Sequence, residues 1–243
     1  MRKNNRLRKP GTVRRKECER MEAFDQDNPV IRTIGKIACA WLIGFLWLIA
    51  CLPVFTVGAA TTAMIYAEMK LLNDTGKRDM GTPAANFWKS FRENFRQGTA
   101  IGMIYLAAGV LIACGLYFWN RSQAPSALVP LGLTWGICIL FLISALWVFA
   151  VQALFIHPVS ATIRYSFAAA RQNGKETVLM LIVLGTVLYF VFRTPGWVFL
   201  FFYLNFGVGL TAYLFSVFYT NAFRKYIPQE WQDSDDADSA PEG

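Results

Sequence analysis

The chain has 243 residues, of which 55% are hydrophobic and 16% charged, with 20 Phe, 9 Tyr and 8 Trp. An average soluble domain carries about 25% charged residues, so an ordinary soluble domain is excluded. The net charge of +8 does not point to nucleic acid, because the basic residues crowd beside long apolar runs, where they act as topology signals.

In chain order, Arg2, Lys3, Arg6, Arg8 and Lys9, followed by Arg14, Arg15, Lys16 and Arg20, make residues 1–26 a disordered basic arm on the cytoplasmic side. Its expected partner is the anionic lipid of the inner leaflet. The first apolar run starts near Ile37 after a lead holding five acids, which reads as a retained signal anchor rather than a cleaved signal. Widened to Ile34 through Leu72, the run holds two short spans meeting at Leu52-Pro53-Val54. A span needs roughly 20 residues, and proline ends a helix by removing a backbone donor. The 24 Lys and Arg decide between this hairpin and a single kinked crossing. A single crossing leaves 13 inside and 11 outside, whereas a hairpin places 22 inside and 2 outside, the asymmetry that orients membrane proteins.

The expected fold is therefore all-α: a polytopic transmembrane helix bundle over residues 27–228, with both termini cytoplasmic. Six spans are predicted, at about 34–52, 54–72, 98–119, 128–156, 177–193 and 197–223. The alternative is five spans with a re-entrant or kinked first segment, since Thr56, Gly58, Thr61, Thr62 and Glu68 lower the apolarity of the second one. Between spans two and three, Phe87, Trp88, Phe91 and Phe95 recur at helical spacing with Lys89, Arg92, Glu93 and Arg96 interleaved. That pattern predicts an amphipathic helix over about 84–97, either in the inner headgroup layer with its rings down and its basic face up, or capping the bundle from below. The fourth span ends at His157-Pro158, and residues 229–243 form a disordered acidic tail.

Chemistry is sparse inside these spans. Glu68 is the only carboxylate in any of them, near a cytoplasmic end beside Lys70, where it can snorkel. As the one intramembrane acid it is kept, with Thr62, as a candidate functional polar residue. Ser144, Ser216 and the Thr56, Thr61, Thr62 group have no partner base in a neighbouring span except Glu68 or His157, both at helix ends, so no catalytic residue and no enzyme activity are assigned. His157 has no second ligand at metal spacing, and Cys39, Cys51, Cys114 and Cys138 lie in apolar runs as packing residues. No metal or cofactor is expected. Gly98 with Gly102 and Gly132 with Gly136 sit at the spacing of close helix approach, within the molecule or in a homo-oligomer.

The segment LPVFTVGAATTAMIYAEMKLL resembles the first block of the YesL family of bacterial integral membrane proteins, in Pro53, Thr56, Gly58, Ala63 and Tyr66. FWKSFRENFRQGT is similar to the family's aromatic and basic segment in Phe87, Phe91, Asn94, Phe95 and Gln97, and FYTNAFRKYIP to its close in Tyr219, Asn221 and Tyr226. The chain departs in carrying Ala59 where the family often has a second proline, and in the basic arm before Phe24. The resemblance implies a multi-pass protein of the bacterial cell membrane with no established biochemical activity, whose relatives are commonly encoded beside carbohydrate uptake and breakdown genes. It therefore implies an accessory role in carbohydrate uptake or utilisation. FAAARQNGKET, Phe167 to Thr177, is also faintly similar, in Ala169, Ala170 and Gly174, to the loop by which ABC-importer permeases contact their ATPase, with Ala168 in place of its acid. Sugar-importer subunits are thus the expected protein partners. The alternative is a facilitative permease for a small neutral solute such as a sugar, using Thr56, Thr61, Thr62, Asn205, Trp47 and Tyr66 as a polar and stacking path.

Overall fold

The computed structural model describes residues 29–73, 82–122, 125–155, 157–193 and 201–224. The basic arm and the acidic tail lie outside the described residues. The chain divides into two compact units, Met1–Ala38 and Cys39–Gly243. Of the first, residues 29–38 are described, as the opening turns of helix α1 (Pro29–Ala50). The second holds the rest of α1, then α2 (Val57–Leu72), α3 (Pro83–Arg121), α4 (Leu128–Leu154), α5 (Val159–Gln172), α6 (Gly174–Arg193) and α7 (Val208–Phe223). A π-helical turn, Tyr203–Gly207, leads into α7. All elements are helical, and five stretches among the described residues are long and apolar enough to cross a membrane: Thr33–Ala50, Pro83–Arg121, Leu128–Leu154, Gly174–Val191 and Tyr203–Phe223.

Helix α2, the predicted second span, is not one of the five. Its 16 residues extend about 24 Å, and it packs on α3, α7 and α4 together. Gly58, Ala59, Ala60, Thr62, Ala63, Met64, Ile65, Ala67, Glu68 and Met69 are all buried. Protein surrounds most of this helix, so Thr62 and Glu68 do not meet hydrocarbon, while Val57 is exposed and Thr61 half-buried, and apolarity ceases to be a requirement for its buried side. Small side chains replace apolar ones as the means of packing, because between helices in a bilayer it is close backbone approach that gives the attraction.

Helix α3 has 39 residues, about 58 Å. The predicted amphipathic segment and the predicted third span are therefore one uninterrupted helix. It is capped at its start by Thr82, whose hydroxyl accepts from the Ala85 N–H at 3.3 Å, with Pro83 in the first turn where proline is tolerated. Nothing between Arg96 and Thr99 breaks it, because Gly98 is held against α2: a Cβ there would lie 2.8 Å from the Ala59 Cα. The first half of α3 packs on α2, while its second half pairs with α4 through Tyr105 and Phe141 and through Gly115 and Thr134.

Residues 157–176, between the predicted fourth and fifth spans, contain α5. Its buried residues Thr162, Ser166, Ala169 and Ala170 face the bundle. The alanines of the importer-like segment are thus core residues, and only Asn173 separates α5 from α6. The main core gathers Ile65, Met69, Trp147, Val151, Met180, Tyr219 and Phe223 from α2, α4, α6 and α7. Trp147 is fully buried and donates from its indole Nε1 to the Thr177 hydroxyl at 3.0 Å.

Candidate functional site

The turn between α1 and α2 bonds to itself. Pro53 has no N–H to satisfy, the Thr56 N–H donates to the Pro53 carbonyl at 2.9 Å, and the Cys51 N–H donates to the Trp47 carbonyl at 2.9 Å. The Thr56 hydroxyl donates to the carbonyls of Ala50 and Pro53. Around this closed turn the side chains of Leu52, Val54 and Phe55 are exposed, Leu52 by 80%.

From that turn, α2 descends along α3. Gly58 meets Gly98 and Gly102: a Cβ on Gly58 would run into the Gly98 carbonyl and come within 2.6 Å of the Gly102 Cα. Farther along, Ala60, Ala63, Met64 and Ala67 share a buried cluster with Phe87, and Lys70 Nζ donates to Asn86 Oδ1 at 2.9 Å. The two sequence blocks that carried the resemblance therefore form one interface. Pro53, Thr56, Gly58 and Ala63 shape its α2 side, and Tyr66 is half-buried against the main core. On the α3 side Phe87 is fully buried, Phe91 stacks on it at 6.2 Å, and Phe95 is exposed. Asn94 donates to the Ser90 carbonyl at 3.1 Å and accepts from Gln152 at 3.3 Å, while Gln97 donates to the His157 carbonyl. The four rings expected on one face touch in series, Trp88 meeting Phe87 at 5.7 Å and Phe91 at 5.5 Å, and Phe91 meeting Phe95 at 5.5 Å, with Trp88 at the edge of that ring face. Trp88 lies with Lys89 and Arg92 on the exposed side, and Phe87 faces α2, since consecutive residues on a helix point about 100° apart.

Glu68 requires a correction. Rather than snorkelling, it is fully buried, one oxygen accepting from the Ser216 hydroxyl of α7 at 3.2 Å and the other, Oε1, without a hydrogen-bond partner. Lys70 points elsewhere, to Asn86. The reason is helix geometry: Glu68 falls one turn from Met64 and Ile65, both core residues, and α7 closes over it. Ser216 and Glu68 are thus a hydroxyl and carboxyl pair that sequence spacing could not join, 148 positions apart. Both are fully buried.

The remaining hydroxyls that suggested a solute path are engaged locally. Thr62 donates to the Gly58 carbonyl at 2.9 Å, Thr61 to the Val57 carbonyl at 2.7 Å, and the Asn205 amide to the Phe201 carbonyl at 2.8 Å. Trp47 and Thr61, joined by an indole N–H to hydroxyl bond of 3.1 Å, border a cavity of about 380 Å³ whose other walls include Met64, Leu146, Phe149 and Phe215. A polar ladder that the sequence did not reveal ties α3, α4 and α5: Tyr105 bonds Ser144, Ser144 bonds Ser166 at 2.9 Å, and the Thr162 hydroxyl reaches Gln152 at 3.4 Å. Among the described residues no three His, Cys, Asp or Glu side chains converge.

The fold is that of an all-helical membrane protein, with several apolar helices long enough to span a bilayer. Residues 40–116 match the model of a family described as "Protein of unknown function, DUF624". The match covers the second half of α1, all of α2 and most of α3, which is the interface just described. No curated protein and no solved structure matches the chain.

Proposed function

We propose that this is a YesL-like integral protein of the bacterial cell membrane, an accessory component of carbohydrate uptake or utilisation that acts through protein contacts. The observation that carries this reading is that the side chains expected to form a polar path are bonded within their own segments. Thr56, Thr61, Thr62 and Asn205 all donate to carbonyls of their own segments, and the 380 Å³ cavity is walled mainly by apolar side chains. Such groups stabilise a bundle and do not line a path for a sugar, which is bound through free hydrogen-bonding groups. Contact surfaces are what such a protein has to offer.

Its topology in this reading has six crossings and cytoplasmic termini, α2 crossing under cover of the other helices. The 22 to 2 partition of Lys and Arg supports it. A Thr75→Cys label, placed in a background with the native cysteines replaced, is expected to react only from the cytoplasmic side; reaction from outside would return the chain to five crossings. The functional reading is tested by a mild-detergent pull-down from native membranes with mass-spectrometric identification. Recovery of sugar-importer permease or ATPase subunits supports it. Recovery of the protein alone, together with sugar movement when it is the sole protein in liposomes, would replace it with a facilitative permease.

A further inference from the structure

The outward stripe of α3 changes character part-way along an unbroken helix. Ala85, Trp88, Lys89, Arg92, Glu93 and Arg96 are exposed at i, i+3, i+4 and i+7 spacing, and the same stripe continues as exposed Ala100, Met103, Ile104 and Ala107 with no charge. On one straight helix, the change from charged to apolar between Arg96 and Ala100 marks the level at which its surroundings pass from headgroups to hydrocarbon. The buried side of the same segment is fixed to α2 by Phe87 and Asn86, so the basic side is held outward. Lys89, Arg92 and Arg96 make no hydrogen bond or ion pair with any described residue. They stand on successive turns within about 10 Å along the axis, beside an open cleft of about 610 Å³ lined by Ala85, Trp88, Lys89, Arg92 and Glu93. Phe95, next to Arg96, is 39% exposed at the boundary, and Trp88, 38% exposed, stands about 10 Å farther from it beside Lys89 and Arg92.

We propose that this face binds the phosphate of an anionic phospholipid, with Lys89, Arg92 and Arg96 around the headgroup and Phe95, the exposed ring nearest the apolar half of the helix, toward its glycerol and upper acyl region. The charge complementarity is specific in sign: three cations against the single Glu93 leave the face cationic. The long stems of Lys and Arg let their charges reach the headgroup layer, which is about 5–8 Å deep on each side. Under the topology proposed above this is the inner leaflet, but the site does not depend on that assignment or on the function.

The experiment is native mass spectrometry of the full-length protein in detergent, titrated with phosphatidylglycerol or with phosphatidylcholine. Wild-type protein is expected to retain phosphatidylglycerol in preference. The K89Q/R92Q/R96Q variant is expected to lose that retention at least about tenfold, since each basic residue near an anionic surface contributes substantially. An arm variant, R2Q/K3Q/R6Q, is expected to keep most of it. The conservative K89R/R92K/R96K variant should restore retention, which separates charge from folding. Unchanged phosphatidylglycerol retention in K89Q/R92Q/R96Q, or an equal loss of phosphatidylcholine, would overturn the proposal and leave this face to a protein partner.

Discussion

Gly58→Leu is expected to yield no monodisperse protein after extraction, and Gly58→Ala to yield protein whose thermal midpoint is lowered by about 6–12 °C. The second figure follows from a small-to-large clash of about 3 kcal/mol at the shift per kcal/mol of a chain this size. The added Cβ has no flexible neighbour to displace. It meets backbone, the Gly98 carbonyl and the Gly102 Cα at 2.6 Å, so α2 and α3 must part along their length. Parting them uncovers the cluster of Ala60, Ala63, Ala67 and Phe87 and moves Glu68 away from Ser216. Gly132→Ala serves as the control, because nothing lies within 4 Å of a Cβ at that position, and its effect should stay within about 0.5 kcal/mol. A wild-type midpoint for Gly58→Ala, measured by the unfolding of detergent-solubilised protein, would show that the two helices do not approach as closely as described.

The contrast between Gly58 and Gly132 also marks the limit of what the sequence disclosed. Small residues four apart are visible in both Gly98-x-x-x-Gly102 and Gly132-x-x-x-Gly136, yet only the first pair has a helix against it. What separates them is the partner's side, since α2 supplies Gly58 and Ala59, and a pattern within one helix cannot name the surface facing it. Apolar runs lie over α1, α4, α6 and α7 because lipid imposes its rule on every exposed residue. Helix α2 escaped that rule by lying inside the protein, which is why its threonines and its acid read as weakness in a span. Helix α5 was missed for a related reason. Thr162, Ser166, Ala169 and Ala170 recur at helical spacing, but they are small or polar, and a search for apolar periodicity passes over them. Trp88 touches Phe87 and Phe91 as the helical spacing implies, and its position in the turn also sets it outward with Lys89 and Arg92.

At Glu68 the expected order of stability is wild type close to Glu68→Gln, then Glu68→Ala, with Glu68→Lys failing to accumulate. A glutamine keeps the shape and still offers an oxygen to the Ser216 hydroxyl, which now donates at 3.2 Å. Alanine leaves that hydroxyl without its acceptor and opens a cavity beside Met64 and Ile65, together a loss of about 2–5 kcal/mol. Lysine places an ammonium where no described acidic group can pair with it, and an unpaired charge inside a bundle is the costliest of the three. Thermal unfolding of the purified variants measures the order: Glu68→Gln falling as far below wild type as Glu68→Ala would mean that the ionisable carboxyl itself holds α2 to α7, and Glu68→Gln falling below Glu68→Ala would mean that its amide finds no acceptor where Oε1 has no partner. The same variant separates packing from function. If the protein works through contacts, Glu68→Gln should capture the same membrane partners as wild type, because the bundle that presents the contact surfaces is unchanged. A folded Glu68→Gln protein that has lost its partners or a transport activity would instead place a proton or an ion at this carboxyl, a fully buried acid whose second oxygen has no hydrogen-bond partner.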